Sequence, residues 1–545
     1  MTASTFSISS LTPLNMEMGT IEDDLWNIII TNQNNAFSGR GWVSSDKLDE
    51  LLRERQRDIQ RLCGIDDDGL EELNGVIRIV FTLIHFSKLN QTTYRAIRDM
   101  NMTDDHLPVR YEKSPTHLFL SEARIIEDRQ RSQETITPFL ENRSDCERFA
   151  NEQFYFWVPS FGKGEYSDLD GRCNLPIYVI QKSVSSGSFG DVSKVKVHHA
   201  HLKSEDPETP VTEENNPVLA LKILKADSQQ EFDQERVALS KLQHCKNPHL
   251  ITLIASFKRG TDFHFLFPWA EGGDLRSFWE QSWEKHGFKQ QREGISWALG
   301  QMIGIAKAVE DLHKVQPRDD LGGAKENCRH GDLRPENILA FGDKKSNGDV
   351  VWRLCITDAG LAKFHERITN ERITGTTTTR GSIEYAPPES RVEDRNKPRS
   401  RVYDMWSLGC IFLEFAIWLV GGSAAVDKSR HKRFKEDQYQ AYHRKGKLRS
   451  QVKDDISLIR TKGFRKLADI IEDKLLVEER KRIGASGLVA ALEDWVVKNP
   501  SLPVIVDGSD RESGAPLPNQ ELVDGGGRRR KRDALVALAS RFRHQ

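Results

Sequence analysis

Apolar residues change their spacing along this chain, and the change divides it. Over Leu48–Leu62 and over Leu70–Leu89 they return at helical intervals among charged positions, as in Leu73, Val76, Ile77, Val80, Phe81 and Ile84. That spacing predicts helices with one buried face. A third helix is predicted over Leu118–Arg129, and the aromatic run Phe154-Tyr155-Phe156-Trp157-Val158, closed by Pro159, reads as a packing surface against a neighbouring unit. From Tyr178 the pattern turns strand-like. Tyr178–Ile180 and Val192–Val197 flank a glycine turn, and Val218–Ile223 supplies a third strand. Between the last two, Lys203–Pro217 is rich in Glu, Asp, Pro and Asn and reads as an exposed loop. After residue 274 helical spacing returns in Ile295–Leu312 and Met405–Leu419. A small β-rich unit followed by a larger helical one is an α+β arrangement, here preceded by a mostly helical region. We expect 1–165 to be that helical extension, 176–500 one folded domain, and 503–545 a flexible tail.

Composition narrows the picture. A chain of 545 residues is long enough for two to three units. Its seven cysteines are scattered and odd in number, which argues against a disulfide framework or a zinc site and points to an intracellular place, cytoplasmic or nuclear. Met1–Ser10 is polar and shows no secretory signal. Val76–Phe86 is interrupted by Arg78, Thr82 and His85, so no membrane span is expected there. A net charge of −2 gives no reason to expect nucleic acid as a partner. Two local basic runs stand out. Lys428, Arg430, Lys432, Arg433, Lys435, Arg444, Lys445, Lys447 and Arg449 form either a solvated face or a docking surface for an acidic protein; Arg528–Arg532, after Gly525–Gly527, reads as a basic tail or an import signal.

Candidate chemistry concentrates in four places. Arg329-His330-Gly331-Asp332-Leu333-Arg334-Pro335-Glu336-Asn337 sets a carboxylate, Asp332, five positions before an amide, Asn337. A phosphoryl-transfer loop needs that pairing: one group to take a hydroxyl proton, the other to hold a metal. Gly187-Ser188-Phe189-Gly190-Asp191-Val192 lies between two predicted strands, where glycines let backbone close over phosphates or simply make a tight hairpin. Lys222 ends the apolar strand Leu219-Ala220-Leu221, and Glu235 on the next predicted helix can pair with it. Asp358 follows the strand Leu354-Cys355-Ile356 and is placed to ligate a cation.

Lys222, Asp332, Asn337 and Asp358, in that order, resemble the eukaryotic protein kinase family. Phe267 through Leu275 resembles its gatekeeper and hinge, Gly381 through Glu389 the end of its activation segment, and Asp404 through Gly409 the buried helix that anchors its catalytic loop. The resemblance implies a bilobal fold, with a small β-rich lobe and a larger helical one. It implies ATP and Mg²⁺ as cofactors and serine or threonine residues of proteins as substrates. Ser185, Gly187, Ser188, Phe189, Gly190 and Val192 would cover the nucleotide, with Ala220, Phe267, Pro268, Ala270 and Asp274 along its other edges. Lys222 would hold phosphates and Glu235 would hold Lys222. Asp332 and Arg334 would act at the transferred group, Asn337 and Asp358 at Mg²⁺, and Arg482 would pair with Glu389.

The chain departs from the pattern at Ser185 (first loop glycine), Gly331 (an arginine in most members), Arg334 (a lysine) and Ala359 (a phenylalanine). Without the arginine at 331, regulation by phosphate on Thr374–Thr379 loses a cationic receiver, and the helical extension becomes the expected regulator. The same fold could also serve as a scaffold without transfer. Asp332 and Asp358 favour the enzyme.

Overall fold

The computed structural model describes residues 20–33, 36–66, 71–112, 118–121, 134–187, 190–206, 208–224, 229–288, 291–314, 329–344, 349–358, 383–391, 400–436 and 441–498. Side chains at 185–187 lie outside this description, as do Ser188, Phe189, Ala359, Thr374–Thr379 and the tail 503–545.

The N-terminal region holds α1 (Ile21–Gln33), α2 (Ser45–Glu54), α3 (Gln56–Cys63), α4 (Ile77–His85), α5 (Gln91–Asp99) and α6 (Arg143–Glu152). The single helix predicted over Leu48–Leu62 is therefore two. Arg55 leaves helical geometry between them, and its guanidinium pairs with Asp24 of α1 at 2.6 Å. Over Leu70–Leu89 the α-helix is confined to Ile77–His85, because Gly75 at φ 92° breaks the winding ahead of it. The helix predicted from Leu118 is not formed at its start. Leu118–Ser121 is a strand, β2, between β1 (Val109–Glu112) and β3 (Glu134–Ile136); the rest of that span lies outside the described residues. A short apolar run such as Leu-Phe-Leu fits either period, and strand partners distant in sequence select the extended form.

Six strands then make one sheet, in the order β4 (Glu165–Leu169), β8 (Ala255–Arg259), β9 (Asp262–Pro268), β7 (Leu219–Leu224), β6 (Gly190–Val197), β5 (Ile177–Gly187). All neighbours are antiparallel except β4 and β8, which run parallel. Alternation along β9 divides its side chains between two cores. Phe263 and Phe265 meet Phe232 and Leu239 of α7 (Gln229–Gln243), whereas Leu266 joins Val195, Val197, Leu219, Leu221 and Phe257 in a core shared with the N-terminal helices. The aromatic run falls in that shared core, with Phe154, Phe156 and Trp157 all buried. Backbone and side-chain bonds seal the contact: Phe37 N–H donates to Ile177 O at 2.8 Å, and Asn174 Nδ2 donates to Gly41 O and Phe154 O, each at 2.9 Å.

The larger, helical part contains α8 (Leu275–Trp279), α9 (Gln291–Lys314), the hairpin of β10 (Ile338–Lys344) with β11 (Val350–Ile356), and the long helix Val402–Glu436, which breaks at Gly422. That helix is long and apolar enough to cross a bilayer by composition, and here it is the mostly buried centre of the lobe, against α9 and the helix Ser450–Thr461. The architecture is α+β: a sheet region, then a helical region, with a mostly helical segment before both.

Candidate active site

The glycine hairpin forms between β5 and β6, with Gly187 opposite Gly190. At Gly190, φ is 155° and an added Cβ would lie 2.3 Å from the Ile223 carbonyl oxygen, so only glycine lets β6 approach β7 here. Val192 in turn stands opposite Lys222 on β7.

Lys222 is buried and reaches two carboxylates. Its Nζ lies 3.3 Å from Glu235 Oε1 and 2.8 Å from Asp358 Oδ1. Burial opposes the lysine's charge, but Asp358 and Glu235 outweigh it and raise its pKa. Burial pushes the Glu235 carboxyl up, with Lys222 acting against that. The spacing of thirteen residues that joins 222 to 235 does close the pair. Asp358 follows the end of β11 with φ 57°, a conformation uncommon for a residue with a side chain, and its half-buried carboxylate joins the buried Lys222–Glu235 pair.

The loop that carries Asp332 hangs from one buried residue of the long helix. The backbone N–H groups of His330 and Gly331 each donate to Asp404, at 2.8 Å, and His313 Nε2 donates to the same carboxylate at 2.8 Å. Burial would raise the Asp404 pKa; the His313 bond and the neighbouring donors outweigh it and leave it lowered. His330 Nε2 meets Thr357 O at 2.8 Å while its Nδ1 accepts from Asp332 N–H at 3.3 Å. One imidazole thus ties the Asp332 loop to the residue before Asp358. Asn337 Nδ2 donates to Asp332 O at 2.7 Å and to Asp332 Oδ2 at 3.1 Å, which leaves the side-chain Oδ1 of Asn337 as the atom able to face a cation. Arg334 Nε is 3.9 Å from Asp332 Oδ2. Gly331 adopts φ 77°, the left-handed region that suits glycine.

The remaining edge is the strand end Phe267-Pro268, opposite Ala220 and Leu219 respectively. Ala270 and Phe267 pack against the α7 core, and Asp274 caps α8 by accepting from Ser277 N–H at 2.8 Å. Carboxylate and amide oxygens, with no thiolate or imidazole among them, form a donor set suited to a hard divalent cation such as Mg²⁺, from Asp358 and Asn337. Arg482 meets Glu389 through two bonds, Nη1–Oε1 at 2.6 Å and Nη2–Oε2 at 3.2 Å.

Below the loop lies a buried network that the sequence did not disclose. Arg276 of α8 pairs with Glu336 at 3.3 Å and Glu414 at 3.1 Å and also donates to the Tyr385 hydroxyl. Arg433 pairs with Glu414 at 2.8 Å and Glu384 at 3.1 Å. This corrects part of the basic docking surface expected over 428–449: Arg433 is 0 % exposed and Arg449 4 % exposed, so neither can meet an outside partner. Buried acids of the long helix and the activation-segment end account for Arg433, and no local sequence signal marks them.

Comparison with known proteins agrees with this geometry. The pattern described as "Protein kinase domain" matches residues 208–493, more than half of the chain and beginning after the glycine hairpin. The chain is similar to cAMP-dependent protein kinase type 3 of Saccharomyces cerevisiae, 27% identical over 256 residues, covering 46% of this chain and 50% of the relative. It is also similar to serine/threonine-protein kinase sgk-1 of Caenorhabditis elegans, 27% identical over 244 residues (44% of this chain, 42% of the relative), and to serine/threonine-protein kinase Nek10 of Homo sapiens, 26% identical over 240 residues (44% and 18%). The chain spans half or less of the length of these relatives. An ion-paired lysine, an anchored Asp–Asn loop and a matched family pattern converge, and the chain belongs to the protein kinase family.

Proposed function

We propose that this chain transfers the γ-phosphoryl group of ATP to serine or threonine hydroxyls of proteins, with residues 176–500 as the kinase domain. The observation that carries the reading is the Asp332 carboxylate, fixed by Asn337 on a loop that Asp404 and His330 tie to the Asp358 strand. Asp332 accepts the proton as the substrate oxygen bonds to the γ-phosphorus and the bond from that phosphorus to the β-phosphate oxygen breaks, releasing ADP. Lys222, kept charged by its two carboxylates, binds phosphate oxygens, and Glu235 keeps it in place. Arg334, beside Asp332, adds positive charge where the transferred group gathers negative charge. Asn337 and Asp358 would hold Mg²⁺, which neutralises phosphate charge when bound. The Ser/Thr assignment rests on Pro335-Glu336-Asn337 and on relatives named as serine/threonine kinases. Gly331 in place of arginine supports regulation that does not rely on a phosphorylated activation segment.

The test is transfer of labelled γ-phosphate from Mg²⁺-ATP to the full chain and to a basic protein, beside Asp332→Asn. Transfer lost in the variant, with label on serine or threonine after acid hydrolysis, is expected. A folded wild type that binds ATP and transfers nothing would replace the proposal with a binding role.

A further inference from the structure

One side chain that meets the helix carrying Glu235 comes from ahead of the residues matched to the family. Tyr166, on β4, lies outside the residues matched to the family, 208–493. Its ring centroid is 5.8 Å from that of Phe232, and the Arg236 guanidinium sits 4.8 Å over it. Phe232 precedes Glu235 by three positions and Arg236 follows it by one, so a single ring covers the two helical turns that aim the carboxylate.

The strand beneath Tyr166 is itself held firmly. It pairs in parallel with β8 from Glu165↔Ala255 to Leu169↔Arg259, and Leu169 is buried in the core shared with the N-terminal helices. Just upstream, Phe161 is buried against Phe257 at 5.0 Å, and its N–H donates to His201 O at 2.9 Å. The path from the N-terminal core to α7 is therefore continuous. At its end, the Lys222–Glu235 pair is buried and spans 3.3 Å, so a small outward swing of α7 would strand the desolvated Glu235 carboxylate and leave Lys222 to Asp358 alone, at 2.8 Å.

We infer that Tyr166 is a positioning residue for Glu235, holding α7 by its ring contacts to Phe232 and Arg236. This rests on the kinase reading above.

The experiment compares the full chain as wild type, Tyr166→Ala and Tyr166→Phe, reading kcat, KM for ATP and amide hydrogen exchange along Gln229–Gln243. Losing one aromatic pair and one cation–π contact predicts a fall of about tenfold in kcat for the alanine variant. Exchange should quicken in α7 and remain at wild-type rates in α4 and α9. Phenylalanine should restore both readouts, because the ring makes the contacts to Phe232 and Arg236. Unchanged α7 exchange in Tyr166→Ala, or exchange that rises equally throughout the molecule, overturns the inference. If the wild type itself transfers no phosphate, the kinase reading fails, and exchange in α7 alone decides whether Tyr166 positions the helix.

Discussion

Replacing Asp404 by alanine should damage this protein more than any surface change, because three donors converge on that carboxylate. Two are backbone N–H groups, those of His330 and Gly331, and the third is His313 Nε2, all at 2.8 Å. Asp404 is 0 % exposed, so water does not replace the lost acceptor. Each buried donor left unpaired costs about 1–3 kcal/mol, and the two backbone groups alone give about 2–6 kcal/mol. At about 2–4 °C per kcal/mol for a large domain, Tm should fall on the order of 10 °C. Asparagine keeps one acceptor oxygen and should lose about half as much. Since the same loop carries Asp332, phosphotransfer should fall further than the unfolded fraction explains, at temperatures where both proteins are folded. Thermal melts of wild type, Asp404→Asn and Asp404→Ala, each paired with a transfer assay, read this directly. An alanine variant that melts within about 2 °C of wild type would refute the reasoning.

Gly190→Ala should weaken ATP binding with little change in the helical lobe, since its Cβ would stand 2.3 Å from Ile223 O and force β6 off β7; titration calorimetry with ATP reads it. Arg433→Met removes the cation between Glu384 and Glu414 and should cost about 3–5 kcal/mol in denaturant unfolding, because the two carboxylates remain buried beside each other. Acid should loosen the N-terminal core before it touches the ion pairs. Burial lowers His201 to about 3, so the unfolded chain binds the extra proton below 6.5 and stability is lost as pH falls through that value. Between pH 7 and 5 this amounts to about 2 kcal/mol, and His201→Gln should flatten the dependence of Tm on pH over that interval.

Much of the candidate site was legible because its chemistry is local. Asp332 and Asn337 sit five positions apart on one loop, and Lys222 follows apolar residues that announce its strand, which the structure carries on to Leu224. Strands β5, β6 and β7 were read in place for the same reason. What escaped the sequence depends on partners far along the chain. Arg55 breaks a helix in order to reach Asp24, Leu118 becomes a strand through β1 and β3, and Arg433 looks like surface charge until Glu384 and Glu414 appear beside it. His313, adjacent to no motif, acquires its role only because Asp404 lies ninety-one positions later.

The extension shows the same limit most clearly. Its helical spacing was visible, and so was an aromatic run that needed a neighbour. The neighbour is the face of the six-stranded sheet opposite α7. Along β9, Phe263 and Phe265 turn toward the Glu235 helix, while His264 stacks on Phe257 at 4.5 Å and approaches Phe37 of the extension at 6.0 Å. A strand with both faces buried cannot respond on one face alone, because its side chains alternate from a single rigid backbone. Lys222 lies on the same kind of strand, between Leu221 in the extension's core and the Glu235 pair on the other side. The extension is thus part of the wall that positions the lysine, and a boundary drawn where the family pattern begins, at residue 208, would cut through that wall.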